Sequence, residues 1–100
     1  MADLLRIAAT AGHEGPVWSA STDDLALTTV VYGDGRGSTS HINPEFDQIL
    51  VVLEGEGIVE IAGERYPLHP GEVAYVPKAA RRRIQSLQER LVYLTINRKP

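Results

Sequence analysis

The chain has 100 residues, is 43% hydrophobic and contains no cysteine, so it has room for one core of ordinary size and excludes disulfides, zinc-thiolate sites and cysteine nucleophiles. A formal net charge of −3 and a pI near 5.5 argue against general nucleic-acid binding, although Arg81-Arg82-Arg83 is a local basic run. No stretch approaches the roughly 18 apolar residues of a membrane helix, and Asp3 stands where a signal peptide would be basic; the expectation is a cytoplasmic protein with neither membrane nor nucleic-acid partner.

In chain order, Asp3 can cap a short helix through Ala9, or the same residues can form an edge strand; the pattern leaves both open. Trp18, after Pro16-Val17, reads as a staple of the N-terminal segment. From Leu25 to Tyr32 apolar and β-branched residues alternate in the two-residue period of a strand. Gly33-Asp34-Gly35-Arg36-Gly37, Ala62-Gly63-Glu64-Arg65 and His69-Pro70-Gly71 read as turns. Ile49-Leu50-Val51-Val52-Leu53 is apolar at both parities, so both faces of that strand need cover. Its outer face requires the N-terminal segment or a second subunit, and a homodimer is the expectation.

Further along, alternation puts Arg82, Ile84 and Ser86 on one face and Arg81, Arg83 and Gln85 on the other. Ile84 favours the interior, which directs Arg82 inward as well. Leu91 to Ile96 alternates again as a strand, and Asn97 to Pro100 reads as a frayed end. Several short strands with such turns predict an all-β sandwich or barrel in a single domain over residues 1–100. Tyr75 and Tyr93 are candidate pocket walls. His13 and His69 read as surface residues, and Glu54, Glu56 and Glu60 as solvated charges. No Ser-His-Asp order, phosphate loop or paired-carboxylate spacing is present.

Two segments share a longer pattern. Gly35 is followed by five residues, His41-Ile42-Asn43, four residues, Gln48, six residues and Gly55; Gly71 is followed by five residues, Pro77-Lys78-Ala79, two residues, Arg82, three residues and Ser86. This order and spacing resembles the two motifs of the cupin superfamily, in which glycine precedes H-x-H, a glutamate and a glycine, and later P-x-G-x-x-H. The resemblance implies an antiparallel double-stranded β-helix, the jelly-roll barrel, and sets the metal-ligand positions at His41, Asn43, Gln48 and Arg82.

Only His41 keeps ligand chemistry there. Asn43 and Gln48 offer neutral amides, and the guanidinium of Arg82 has no lone pair to donate and stays protonated. Two unit charges about 4 Å apart interact by roughly 4 kcal/mol at an effective dielectric of about 20, so a divalent ion beside Arg82 would meet about twice that in repulsion. The expectation is therefore a cupin with no metal and no cofactor. It would bind a small anionic or polar sugar-like molecule through His41, Asn43, Gln48 and Arg82. The alternatives are a cupin-type enzyme, of sugar isomerase, epimerase or dioxygenase kind, using His41 as a base, and a structural dimer with a vestigial pocket. Arg82 itself has three readings: outward to solvent, paired with Glu45, Asp47 or another acid, or presented to an anionic ligand.

Overall fold

A computed structural model describes residues 1–99. The N-terminal segment is helical: α1 runs Leu4–Thr10, and the Asp3 carboxylate accepts the backbone N–H of Arg6 at 3.2 Å. Such a cap stabilises a helix by about 1 kcal/mol and decides between the two readings of this segment. Nine strands follow: β1 Gly15–Ser21, β2 Leu25–Gly33, β3 His41–Ile42, β4 Gln48–Glu54, β5 Gly57–Ile61, β6 Glu64–Leu68, β7 Val73–Val76, β8 Arg81–Ser86 and β9 Arg90–Arg98.

They form two antiparallel sheets, one of five strands in the order β1-β2-β9-β4-β7 and one of four in the order β3-β8-β5-β6. The chain crosses repeatedly between them, which is the jelly-roll path that the resemblance implied. Among the described residues no helix is long and apolar enough to cross a membrane.

Strand alternation builds the core. Leu50 and Val52 of β4, Val59 of β5, Ile84 of β8 and Leu91 and Tyr93 of β9 point between the sheets, and all are essentially excluded from solvent. Burying an aliphatic or aromatic side chain of this size contributes about 1.5–3 kcal/mol. A second, smaller cluster lies on the outer face of the five-stranded sheet, where Ala8 of α1 packs on Val31 and Val92, with Val17 and Leu53 beside them. The helix thus covers the Leu53 end of β4, while Ile49 at the other end remains exposed.

The spacing of the frame has conformational reasons at Gly55. Its φ is +80°, and a Cβ there would lie 1.9 Å from the Arg90 carbonyl oxygen, so neither the backbone angle nor the space admits a side chain. The β5–β6 hairpin turns through Ala62 and Gly63, both with positive φ, as the twist of two-residue turns demands.

One expectation is corrected. Asn97 and Arg98 are not a frayed end but the last residues of β9, paired with Ala26 and Leu25 of β2. Asn97 also pairs with Gln48 of β4, and the Lys99 N–H donates to the Asp24 carbonyl at 2.8 Å. Ladder bonds from neighbouring strands hold this segment in place; Pro100, the last residue of that expectation, lies outside the described residues.

Candidate functional site

The frame residues gather at one end of the sandwich. His41 and Arg82 are direct cross-strand partners in the β3–β8 ladder, so their side chains share a face, with Cβ atoms about 5 Å apart. Gln48 opens β4 on the opposite sheet, across from Asn97. Asn43 sits in the loop between β3 and β4. His41 is exposed, whereas Arg82, Gln48 and Asn43 are half-buried.

Each side chain has a different occupation. The Asn43 Oδ1 accepts the backbone N–H groups of Glu45 at 3.1 Å and Phe46 at 3.4 Å, and so closes an Asx turn. Its main-chain oxygen accepts the Ala79 N–H at 2.6 Å, tying this loop to the β7–β8 turn. Asn43 thereby shapes the rim, with its carbonyl oxygen engaged by backbone. Gln48 donates from Nε2 to the Asn97 Oδ1 at 3.3 Å, while its Oε1 is buried without a hydrogen-bond partner. A buried acceptor left in that condition costs about 1–3 kcal/mol, and a donor brought to it recovers that penalty.

Arg82 is turned inward, as alternation with the buried Ile84 and Ser86 requires, while Arg81 and Arg83 face solvent. It reaches across to Tyr93 on the other sheet. Burial pushes the Tyr93 phenol well above the usual tyrosine range, and Tyr32, whose ring centroid lies 6.4 Å away, adds to the shift. The nearby Arg82 charge works against both. Of the acids offered as partners, Asp47 is occupied elsewhere: its Oδ1 accepts the Lys78 N–H at 2.8 Å, and the Tyr75 hydroxyl lies near it. These contacts, the Lys78 N–H foremost, hold the Asp47 carboxyl below its ordinary range. Among the described residues, no carboxylate lies within ion-pair distance of Arg82; the ion pairs there are Arg36–Glu14, His69–Glu72, His69–Glu56 and Arg90–Glu54.

The sequence reading missed Asn97, which completes the polar end by fixing the Gln48 amide. Period-two alternation from Leu91 through Tyr93 and Thr95 to Asn97 is the signal that could have found it. Glu54, expected as a solvated charge, is partly exposed and also ion-paired, its Oε2 lying 2.6 Å from the Arg90 Nε. His13 and His69 are exposed, as expected, and His69 is bound to Glu72 at 2.9 Å. Among the described residues, no three His, Asp or Glu side chains come together as a set able to hold a metal ion.

Comparison with known proteins adds to this geometry. TT1209 from Thermus thermophilus superposes with a TM-score of 0.83 at 22% identity, over 98% of this chain and 95% of that one, and shows the shared fold. KdgF from Halomonas sp. is 26% identical with a TM-score of 0.77, over 87% of this chain and 77% of that one. The curated protein Endoribonuclease YbeY of Myxococcus xanthus is 32% identical over 63 residues, 63% of this chain and 21% of that protein. The chain spans about a fifth of the length of that curated relative. The profile of the cupin domain matches residues 28–97, from within β2 to the penultimate residue of β9 and across all the frame residues, and with that match the chain belongs to the cupin family.

Proposed function

We propose that the chain is a metal-independent cupin that binds a small anionic molecule at the end of the sandwich where His41, Gln48 and Arg82 meet. The observation that carries this reading is Arg82. It is a permanent cation, half-buried, directed between the sheets beside a neutral phenol, with no carboxylate near it among the described residues. A half-buried charge without a counter-ion is costly, and an anion supplies that counter-ion. The open Gln48 Oε1 supports a ligand that also carries a hydroxyl donor. The donor set does not fit a metal ion, because one frame position is cationic, the Asn43 oxygen closes a turn and Gln48 offers only a neutral amide oxygen in place of a carboxylate.

The test is thermal. At a hundred times its dissociation constant a ligand adds about 2.7 kcal/mol to stability, and each kcal/mol raises the melting temperature of a domain this size by roughly 4–8 °C. Small carboxylates, phosphate and sugar phosphates are to be screened on the wild type and on Arg82→Met. Stabilisation by particular anions that disappears in the variant supports the reading; equal responses in both proteins, or none, contradict it.

We also infer a homodimer built on the outer face of the five-stranded sheet. There Ile49 and Val51 stand beside Tyr75 and Val73 on one side and Ile96 and Leu94 on the other, beyond the reach of the α1 cluster. Ile49, Val73 and Tyr75 are 39%, 62% and 58% exposed, an apolar row of the kind that subunit contacts cover. Light scattering at micromolar concentration is expected to give about twice the chain mass of 10.9 kDa, and Ile49→Asp to halve it. A wild-type mass near one chain throughout the concentration range contradicts the dimer.

A further inference from the structure

We infer that the outer face of the four-stranded sheet is a docking surface for an acidic segment of a partner protein, received by Arg65, Arg81 and Arg83. The inference is independent of the anion site at Arg82, which faces the interior from the same sheet.

The alternation that buries Val59 and Ile84 turns Ile58 and Glu60 of β5, and Arg81 and Arg83 of β8, to the outside. The register sets Arg65 of β6, Glu60 and Arg83 in one row across three strands, so the two arginines stand about 10 Å apart on either side of the acid. Arg81 follows Arg83 along β8 at about 7 Å, opposite Ile42 of β3. Three exposed cations thus share a face on which the strands supply a single acid.

This runs against the charge of the chain as a whole. Ten basic and thirteen acidic side chains give −3; three of the former and one of the latter leave this face at +2, while the seven and twelve elsewhere leave the rest at −5. Nor does Glu60 neutralise its neighbours. It is the cross-strand partner of both Arg65 and Arg83 and forms an ion pair with neither, the ion pairs among the described residues being those of Arg36, Arg90 and His69. Arg81 donates to the Ser40 hydroxyl at 3.2 Å and to no carboxylate. Like charges gathered on one face oppose folding, so stability does not explain the patch; complementarity to a surface of opposite sign does.

The rest of the face says which polyanion fits. Arg65 and Arg83 wall a recess of about 180 Å3 together with Ile58, Glu60 and Gln85, and Ile42 beside Arg81 is 40% exposed. Apolar surface therefore lies between and beside the charges. A polynucleotide offers an unbroken row of phosphates, which would meet Glu60 in the middle of the arginine row and the net negative charge of the remaining surface beyond it. A short peptide segment with acidic and apolar side chains sets its carboxylates on the guanidinium groups, its apolar groups on the isoleucines, and ends within the face.

The probes are fluorescein-labelled hexaglutamate and a labelled single-stranded hexauridylate, with binding followed by anisotropy. Hexaglutamate is expected to bind the wild type, and about tenfold more weakly as sodium chloride rises from about 0.05 M to about 0.5 M. Hexauridylate is expected to bind at least about tenfold more weakly than the peptide. The double variant Arg65→Glu/Arg83→Glu is expected to lose at least about tenfold in peptide affinity and to gain affinity for hexalysine, which only a folded face of reversed sign can show. Arg81→Glu is a second, independent variant with a loss in the same direction, and Arg6→Glu, off this face, is expected to change the affinity by no more than about twofold. No hexaglutamate binding to the wild type overturns the inference, as does undiminished binding in both face variants. Hexauridylate binding as tight as the peptide's turns the face over to nucleic acid and overturns the acidic segment. Peptide binding that is lost in Arg82→Met but kept in Arg65→Glu/Arg83→Glu places the peptide at the inner site, which overturns this inference and leaves the Arg82 reading standing.

Discussion

The two ends of the sandwich interior are built from the same strands by the same alternation, yet they differ in chemistry. On β4 the inward row runs Gln48, Leu50, Val52; on β8 it runs Arg82, Ile84, Ser86; on β9 it runs Asn97, Thr95, Tyr93, Leu91. Each row begins with a polar or charged group at the frame end and passes into buried apolar residues within a few positions, Ser86 alone breaking the trend with a hydroxyl that donates to the Gln88 carbonyl at 2.8 Å. Hydrophobic burial explains the apolar part of each row and not its frame end. A cation, an amide with an open oxygen and a second amide that fixes it are poor choices for stability alone. Local rules broken together on neighbouring strands mark a place where function has overridden packing.

The comparison is broken most severely by substitution at the apolar end. Ile84 is fully buried, and Ile84→Ala removes a side chain for which nothing else fills the space; the expected loss is about 2–5 kcal/mol. Arg82→Met, two residues away on the same strand, is expected to cost far less in the absence of ligand, since it removes an inward charge and keeps apolar bulk. Chemical denaturation of the two variants measures the contrast. Losses of similar size would mean that Arg82 is part of the structural core.

Tyr93 sharpens the boundary between the two ends. Its phenol is raised in the folded state, so keeping it neutral contributes stability fully present below the ordinary tyrosine pKa of about 10 and lost as pH rises towards the folded value. The protein is therefore expected to weaken above about pH 10. In an absorbance titration at tyrosinate wavelengths, Tyr93 should ionise only as the fold gives way. Ionisation of all the tyrosines before any loss of structure would show that its ring is reached by water.

The smallest effect concerns the rim. Ala79 stands where the family motif has glycine, and its φ is +68°, a conformation that costs a residue bearing a Cβ about 1–2 kcal/mol. Part of that is offset by the greater freedom of glycine in the unfolded chain, so Ala79→Gly is expected to stabilise by about 0.5–1 kcal/mol. A higher denaturation midpoint checks it; no gain or a loss would show that the turn does not bear the strain.

Much of the fold is legible in the sequence because alternation and turn glycines are local signals. The frame from Gly35 to Ser86 and the inward direction of Arg82 can each be read from neighbouring residues. The partnerships at the site cannot. Gln48 and Asn97 are 49 positions apart and meet only because β9 lies between β2 and β4, an order no local pattern contains. Asn43 shows a further limit: its place in the frame suggests a cavity residue, while its side chain satisfies the backbone of its own turn.

The most direct test of the central claim observes the guanidinium itself. In a 15N-labelled sample, the Nε–Hε resonance that is absent from Arg82→Met belongs to Arg82, and acetate is to be titrated in at constant ionic strength. The account predicts a shift of that resonance that saturates with a single dissociation constant, while the Nε–Hε signals of the exposed Arg81 and Arg83 drift without saturating. An Arg82 resonance that moves no more than theirs would contradict an anion site at this end of the sandwich.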